Sequence, residues 1–150
     1  MKVLVPVDGS AHSFKALEVA ADFGRTKQAE IFVISVTLSI GGMEDHEISP
    51  DMRERHEKDL QKLADEAIES ACAFLRNEQV SVRSALTLST TVSIPDAVVD
   101  FAEAREIDLI VLGSRGLSAS SRFKLGSIAY QVVKSSPCSV HLVKIPAQQG

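Results

Sequence analysis

Two kinds of block alternate along this chain. Lys2 to Val7 (KVLVPV), Glu30 to Leu38 (EIFVISVTL) and Ile107 to Leu112 are short runs, apolar on both faces and rich in β-branched residues, which predicts strands buried within a parallel sheet. Val80 to Leu88 alternates instead, at Val80, Val82, Ala85 or Leu86, and Leu88, as expected nearer an edge. Ser139 to Lys144 (SVHLVK) reads as the last strand. Pro6 has no N–H to give a ladder and belongs near a strand end.

The intervening blocks carry helical spacing. Phe14, Leu17, Ala20 and Ala21 share a stripe, with Ser10 or Ser13 as cap and Gly24 as the expected stop. After Ser49-Pro50-Asp51, a start signal, come Leu60, Leu63, Ala64, Ala67, Ile68, Ala71, Cys72 and Leu75, a core-facing stripe that should bury the Cys72 thiol. Ser93-Ile94-Pro95-Asp96 opens a third helix through Val98, Val99, Phe101 and Ala102. Gly126-Ser127 opens a fourth with Ile128, Val132 and Val133, stopped by Ser135-Ser136-Pro137. Five strands alternating with four helices imply a single doubly wound parallel sheet, joined by right-handed crossovers and covered by helices on both faces.

Composition narrows the class. A chain of 150 residues is expected to form one domain, here 1–146, with 147–150 as a disordered tail. Sixteen basic against twenty acidic residues, net -4, argue against a nucleic-acid partner. Cys72 and Cys138 form no C-x-x-C pair, so neither a disulfide framework nor a zinc site is expected. The first residues are too soon interrupted by Pro6, Asp8 and Gly9 for a signal peptide, and no apolar run reaches the roughly 18 residues of a membrane span. A cytoplasmic protein without a membrane partner is the expectation.

The chemistry concentrates at Ile107 to Ser127, IDLIVLGSRGLSASSRFKLGS, a strand, a glycine-punctuated loop and a helix start. Gly113 and Gly116 allow positive φ and close approach of a ligand to main-chain N–H groups. Gly126-Ser127 begins a helix whose first amides and positive end attract phosphate. Ser127 adds a hydroxyl, and Arg115, Arg122 and Lys124 add positive charge, so the loop suits a polyphosphate. From average composition, the spacing G-x2-G-x9-G-S matches a given start with probability of about 4 in 100,000, which makes coincidence a poor account. Neither G-x4-G-K-[ST] nor G-x-G-x-x-G occurs. Asp8, at the end of the first strand, suits ribose hydroxyls or an adenine amine, and it equally suits a turn with Gly9 that caps the next helix. The connection from Ser39 to Ser49, with Gly41-Gly42, is long and reads as a surface loop or a flap. His46 and His56 read as surface residues, and His141 as a packed strand residue.

These residues, with VLVPVDGSAHSFKAL near the start and SSPCSVHLVK near the end, resemble the universal stress protein family, in its ATP-binding branch, over essentially the whole chain. The resemblance implies an adenine nucleotide alpha hydrolase-like fold, strand order 3-2-1-4-5, with ligands at the reversal of winding between the first and fourth strands. It implies that Asp8 lies against the nucleoside and that the main chain of Val36 bonds the adenine edge. The nucleotide-binding set it implies is Pro6, Val7, Asp8, Val36, Gly113, Ser114, Arg115, Gly116, Gly126, Ser127 and Ile128, with ATP as ligand and Mg2+ accompanying its phosphates. It also implies a homodimer through the last strand, at Val140, Leu142 and Val143.

The chain departs from the family in two places. Ser and Thr fill Ser89 to Ser93 where relatives have a glycine, and Pro137-Cys138-Ser139-Val140 stands where they show Pro-Cys-Pro-Val. An ATP-binding regulator is the leading reading, because the loop offers phosphate donors and no evident base. A slow ATPase or phosphoryl-transfer protein, and a nucleotide-independent dimeric scaffold, are the alternatives.

Overall fold

Strands and helices alternate from one end to the other: β1 (Lys2–Pro6), α1 (Ala11–Lys27), β2 (Glu30–Leu38), α2 (Pro50–Asn77), β3 (Val82–Thr90), α3 (Ile94–Ala104), β4 (Leu109–Gly113), α4 (Ser127–Ser135) and β5 (Ser139–Val143). The structure is a computed structural model and describes residues 1–39, 49–116 and 125–146. The sheet is parallel throughout, in the order β3-β2-β1-β4-β5. The strand order implied by the family resemblance is the one observed.

Each central strand feeds two cores because successive side chains point to opposite faces. Val3, Val5, Ile31, Val33 and Val111 face α1 and α2, meeting Ala16, Leu17, Ala20, Ala71 and Leu75. Leu4, Phe32, Ile34, Ile110 and Leu112 face α3 and α4, meeting Val98, Ala102, Ala129 and Val132. Burying each large apolar side chain here is worth about 1.5–3 kcal/mol, so the continuous apolar runs hold both layers to the sheet.

Several boundaries differ from expectation for identifiable reasons. α1 does not stop at Gly24; it runs to Lys27 and ends where Gln28 turns left-handed at φ 53°. Gly24 serves packing instead, since a Cβ there would lie 2.6 Å from Val80 Cγ1. Val80 itself is a buried connector, and β3 begins at Val82. The register between β2 and β3 shifts after Ile31↔Val82, Phe32 facing Ser84, so Arg83 is an extra residue that breaks the even alternation. On α2, Leu63 is 55% exposed, because only the second half of this helix covers the sheet, and Cys72 is half-buried, because it lies beside the buried stripe of Ala64, Ala67, Ala71 and Leu75. On α4, Val132 is buried, whereas Ile128 and Val133 are exposed.

β1 ends at Pro6, as its missing N–H requires, and the remaining ends fall within two residues of expectation. His141 is an exposed strand residue whose ring meets Phe23 edge-on. His56 lies exposed on α2. The expected loop around Gly41-Gly42 and His46, the charges of Arg122 and Lys124, and the tail 147–150 lie outside the described residues.

Candidate functional site

The sheet opens where its winding reverses. β1 pairs with β2 as far as Pro6↔Ile34, yet with β4 only at Val3↔Leu109 and Leu4↔Ile110. Pro6 contributes to this. Val7 N–H donates to Ile34 O at 2.8 Å, toward β2, and hydrogen-bonding sides alternate along a strand, so the N–H that Pro6 lacks is one that would have faced β4. A crevice therefore begins at the carboxyl ends of β1 and β4, where open α/β sheets bind ligands.

Asp8 forms one wall. Its Oδ1 accepts from Ser10 N–H at 2.9 Å, across a turn in which Gly9 takes φ +84°. Its own N–H donates to Ser13 Oγ at 3.3 Å, and Ser10 Oγ caps α1 by accepting from Ser13 N–H at 3.2 Å. The turn-forming role thus occupies one carboxylate oxygen. The other, Oδ2, points across the crevice: a Cβ on Gly116 would lie 2.9 Å from it. Two residues from opposite ends of the chain meet there, and Asp8 is exposed at the meeting point.

The second wall is the β4–α4 connection, described at both ends. Ser114 is 1% exposed; its N–H donates to Val143 O at 2.9 Å and its carbonyl accepts Gly126 N–H at 2.7 Å. This pins the start of the loop to its end. A Cβ on Gly126 would meet Ser114 O at 3.3 Å and Arg115 Cα at 3.4 Å, so a side chain there would press on the start of the loop. Among the described residues Gly9 alone of the glycines takes positive φ, so of the two properties expected of Gly113 and Gly116 the positive φ is not observed and the missing Cβ is the one that matters.

The helix starts differ in a way that bears on anions. Ser10, Ser49 and Ser93 cap α1, α2 and α3 through their hydroxyls. The cap residue of α4 is Gly126, and among the described residues no side chain caps the first amides of this helix. Ser127 and Ile128 are exposed at that end, and half-buried Arg115 is close in space, its Cα 3.4 Å from where a Gly126 Cβ would lie, so amide N–H groups, a hydroxyl and an arginine belong to one loop. On the far side, Val36 is half-buried near the end of β2, opposite Leu88.

All the site residues expected from the sequence fall at the carboxyl ends of β1, β2 and β4 or at the start of α4. Sequence reading missed two neighbours. Ser13 supports Asp8, a role that the cap spacing of Ser10 to Ser13 could have suggested. His12 packs on Gly113, a long-range contact with no local signature. The departure at Ser139 leaves the fold regular: Ser139 pairs with Leu109 in register, and Ser136 Oγ accepts from Cys138 N–H at 3.1 Å. In the Ser89 to Ser93 segment, Thr90 Oγ1 accepts from Val92 N–H at 3.2 Å and Ser93 serves as the α3 cap.

Residues 1–144 match the family model described as the universal stress protein family. The chain is similar to universal stress protein YxiE of Bacillus subtilis, with 30% identity covering 95% of this chain and 98% of the relative. Among solved structures it is similar to universal stress protein UspA from Lactobacillus plantarum, with TM-score 0.79 and 23% identity over 96% of this chain and 97% of that one. The universal stress protein from Archaeoglobus fulgidus, solved in complex with dAMP, superposes with TM-score 0.68 and 23% identity over 96% and 98%.

Proposed function

This chain belongs to the universal stress protein family, and from that premise we propose that it is an ATP-binding regulatory protein whose nucleotide lies in the crevice between β1 and β4. The observation that carries the reading is the approach of Asp8 Oδ2 to Gly116, which brings a hydrogen-bond acceptor for the ribose to the edge of the glycine loop. Binding of dAMP by a structural neighbour supports an adenine nucleotide.

In this reading Asp8, flanked by Pro6 and Val7, holds the nucleoside, and the main chain of Val36 bonds the adenine edge. Gly113, Ser114, Arg115, Gly116, Gly126, Ser127 and Ile128 form the phosphate cradle, with Mg2+ on the phosphates. The uncapped amides of α4 suit that load. The nucleotide-binding domain is residues 1–146. We favour binding over turnover because Asp8, the acid that the crevice offers, is committed to the nucleoside and to Ser10. We further propose a homodimer through β5, at Val140, Leu142 and Val143, in which occupancy alters what the dimer binds. A cytoplasmic location belongs to the same proposal, supported by free thiols at Cys72 and Cys138.

Thermal unfolding with and without Mg-ATP, against ADP, AMP and GTP, tests the reading. With ATP at about 100 times its dissociation constant, binding adds about 2.7 kcal/mol and raises Tm by about 5–10 °C. GTP should give little shift. An absent shift in nucleotide-free protein would make the scaffold reading the better one, whereas phosphate release proportional to active protein would favour the ATPase.

A further inference from the structure

One side chain beside the crevice has no part in the nucleotide-binding set above. His12 is the second residue of α1, and it occupies the space that glycine leaves at position 113: a Cβ there would lie 2.8 Å from the His12 carbonyl carbon and 2.9 Å from its Cβ. Gly113 ends β4, and the next residue, Ser114, is the one that ties Gly126 back to the loop. His12 is thus anchored against the first residue of the cradle.

Helical spacing sets the side on which it lies. His12, Ala16, Val19 and Phe23 share one stripe of α1. Ala16 is fully buried and Phe23 meets His141 of β5, so this stripe faces β4 and β5. His12 is half-buried, and its imidazole makes no hydrogen bond or ion pair with a described residue. α1 and α4 cover opposite faces of the sheet, and both begin at its carboxyl edge. The end of β4 therefore lies between the start of α4 on one face and the start of α1, which carries His12, on the other.

We propose that His12 discriminates by phosphate number: its imidazole N–H donates to an outer phosphate of the nucleotide, favouring the triphosphate over the monophosphate. This inference rests on the nucleotide reading above. It concerns the choice between ATP and AMP and leaves the nucleoside contacts to Asp8 and Val36.

Calorimetric titration of ATP and AMP into the wild-type chain, His12→Ala and His12→Gln tests it. The alanine variant should lose affinity for ATP by about tenfold, the size of one hydrogen bond to a charged group, and keep its affinity for AMP within about twofold. Glutamine retains an N–H donor and should recover part of the ATP affinity. Alanine keeps the Cβ that packs on Gly113, and the unfolding temperature of the nucleotide-free variants checks that it does. Equal losses for both nucleotides, or no loss, would overturn the role of His12 and leave nucleotide binding intact. A wild-type chain that binds neither nucleotide would overturn both.

Discussion

Gly113 and Gly116 are three residues apart and lack a side chain for different physical reasons. At Gly113 the obstacle is the backbone of His12, with carbonyl carbon and oxygen at 2.8 and 2.9 Å from a built Cβ, and a helix backbone cannot step aside. At Gly116 the obstacle is the Asp8 carboxylate, which can rotate away, but only by leaving the crevice. Gly113→Ala should therefore lower stability by about 1–3 kcal/mol, the usual range for overpacking, read as a lower Tm. Gly116→Val should leave Tm nearly unchanged and weaken ATP binding by tenfold or more, about the effect of displacing one charged hydrogen-bonding group. Reversal of the two outcomes in paired melting and titration experiments would remove Asp8 and Gly116 from the site. The glycine spacing made the loop legible in sequence. It could not separate these roles, because one partner lies in α1 and the other at the end of β1, more than a hundred positions away.

At the scale of elements, existence and type were legible and ends were less so. Periodicity located each strand and helix, and Ser49-Pro50 and Ser93 mark their helix starts because cap chemistry is local. Gly24 misled for the converse reason: a glycine inside a helix looks like a terminus until its tertiary neighbour is known. Two terms oppose each other there. Glycine inside a helix is less favourable than alanine by about 1 kcal/mol, and overpacking costs about 1–3 kcal/mol. With Val80 Cγ1 at 2.6 Å, the clash should win, so Gly24→Ala destabilises the wild-type chain. In a Val80→Ala background the obstacle is gone, and the same substitution should stabilise by about 1 kcal/mol. Denaturant titration of the four chains in this cycle checks the change of sign; additivity would mean that Gly24 and Val80 do not determine each other.

At the scale of the molecule, the crevice lies where the winding reverses between β1 and β4; the alternation of elements anticipates the parallel sheet, and the family resemblance anticipates where it reverses. Assembly is a property of the sheet edges. Among the described residues β5 pairs with no strand but β4, leaving its outer side for the dimer proposed above. Alternation identifies the groups concerned. Val143 O faces inward, accepting Ser114 N–H, so the peptide groups of Leu142 and Val140 face outward. Val140→Pro would delete an outward N–H while sparing the ladder to β4, and an edge strand tolerates proline on its solvent side. Proline is also close to valine in volume, which limits the loss of packing in the half-buried site. Sedimentation should then show a dimeric wild-type chain and a monomeric or much weakened variant that still binds ATP, because the crevice lies on the other side of β4. A variant that stays dimeric would move the interface away from β5. A variant that loses ATP binding along with the dimer would mean that a partner protomer completes the site, and the nucleotide would then be read by the pair of chains.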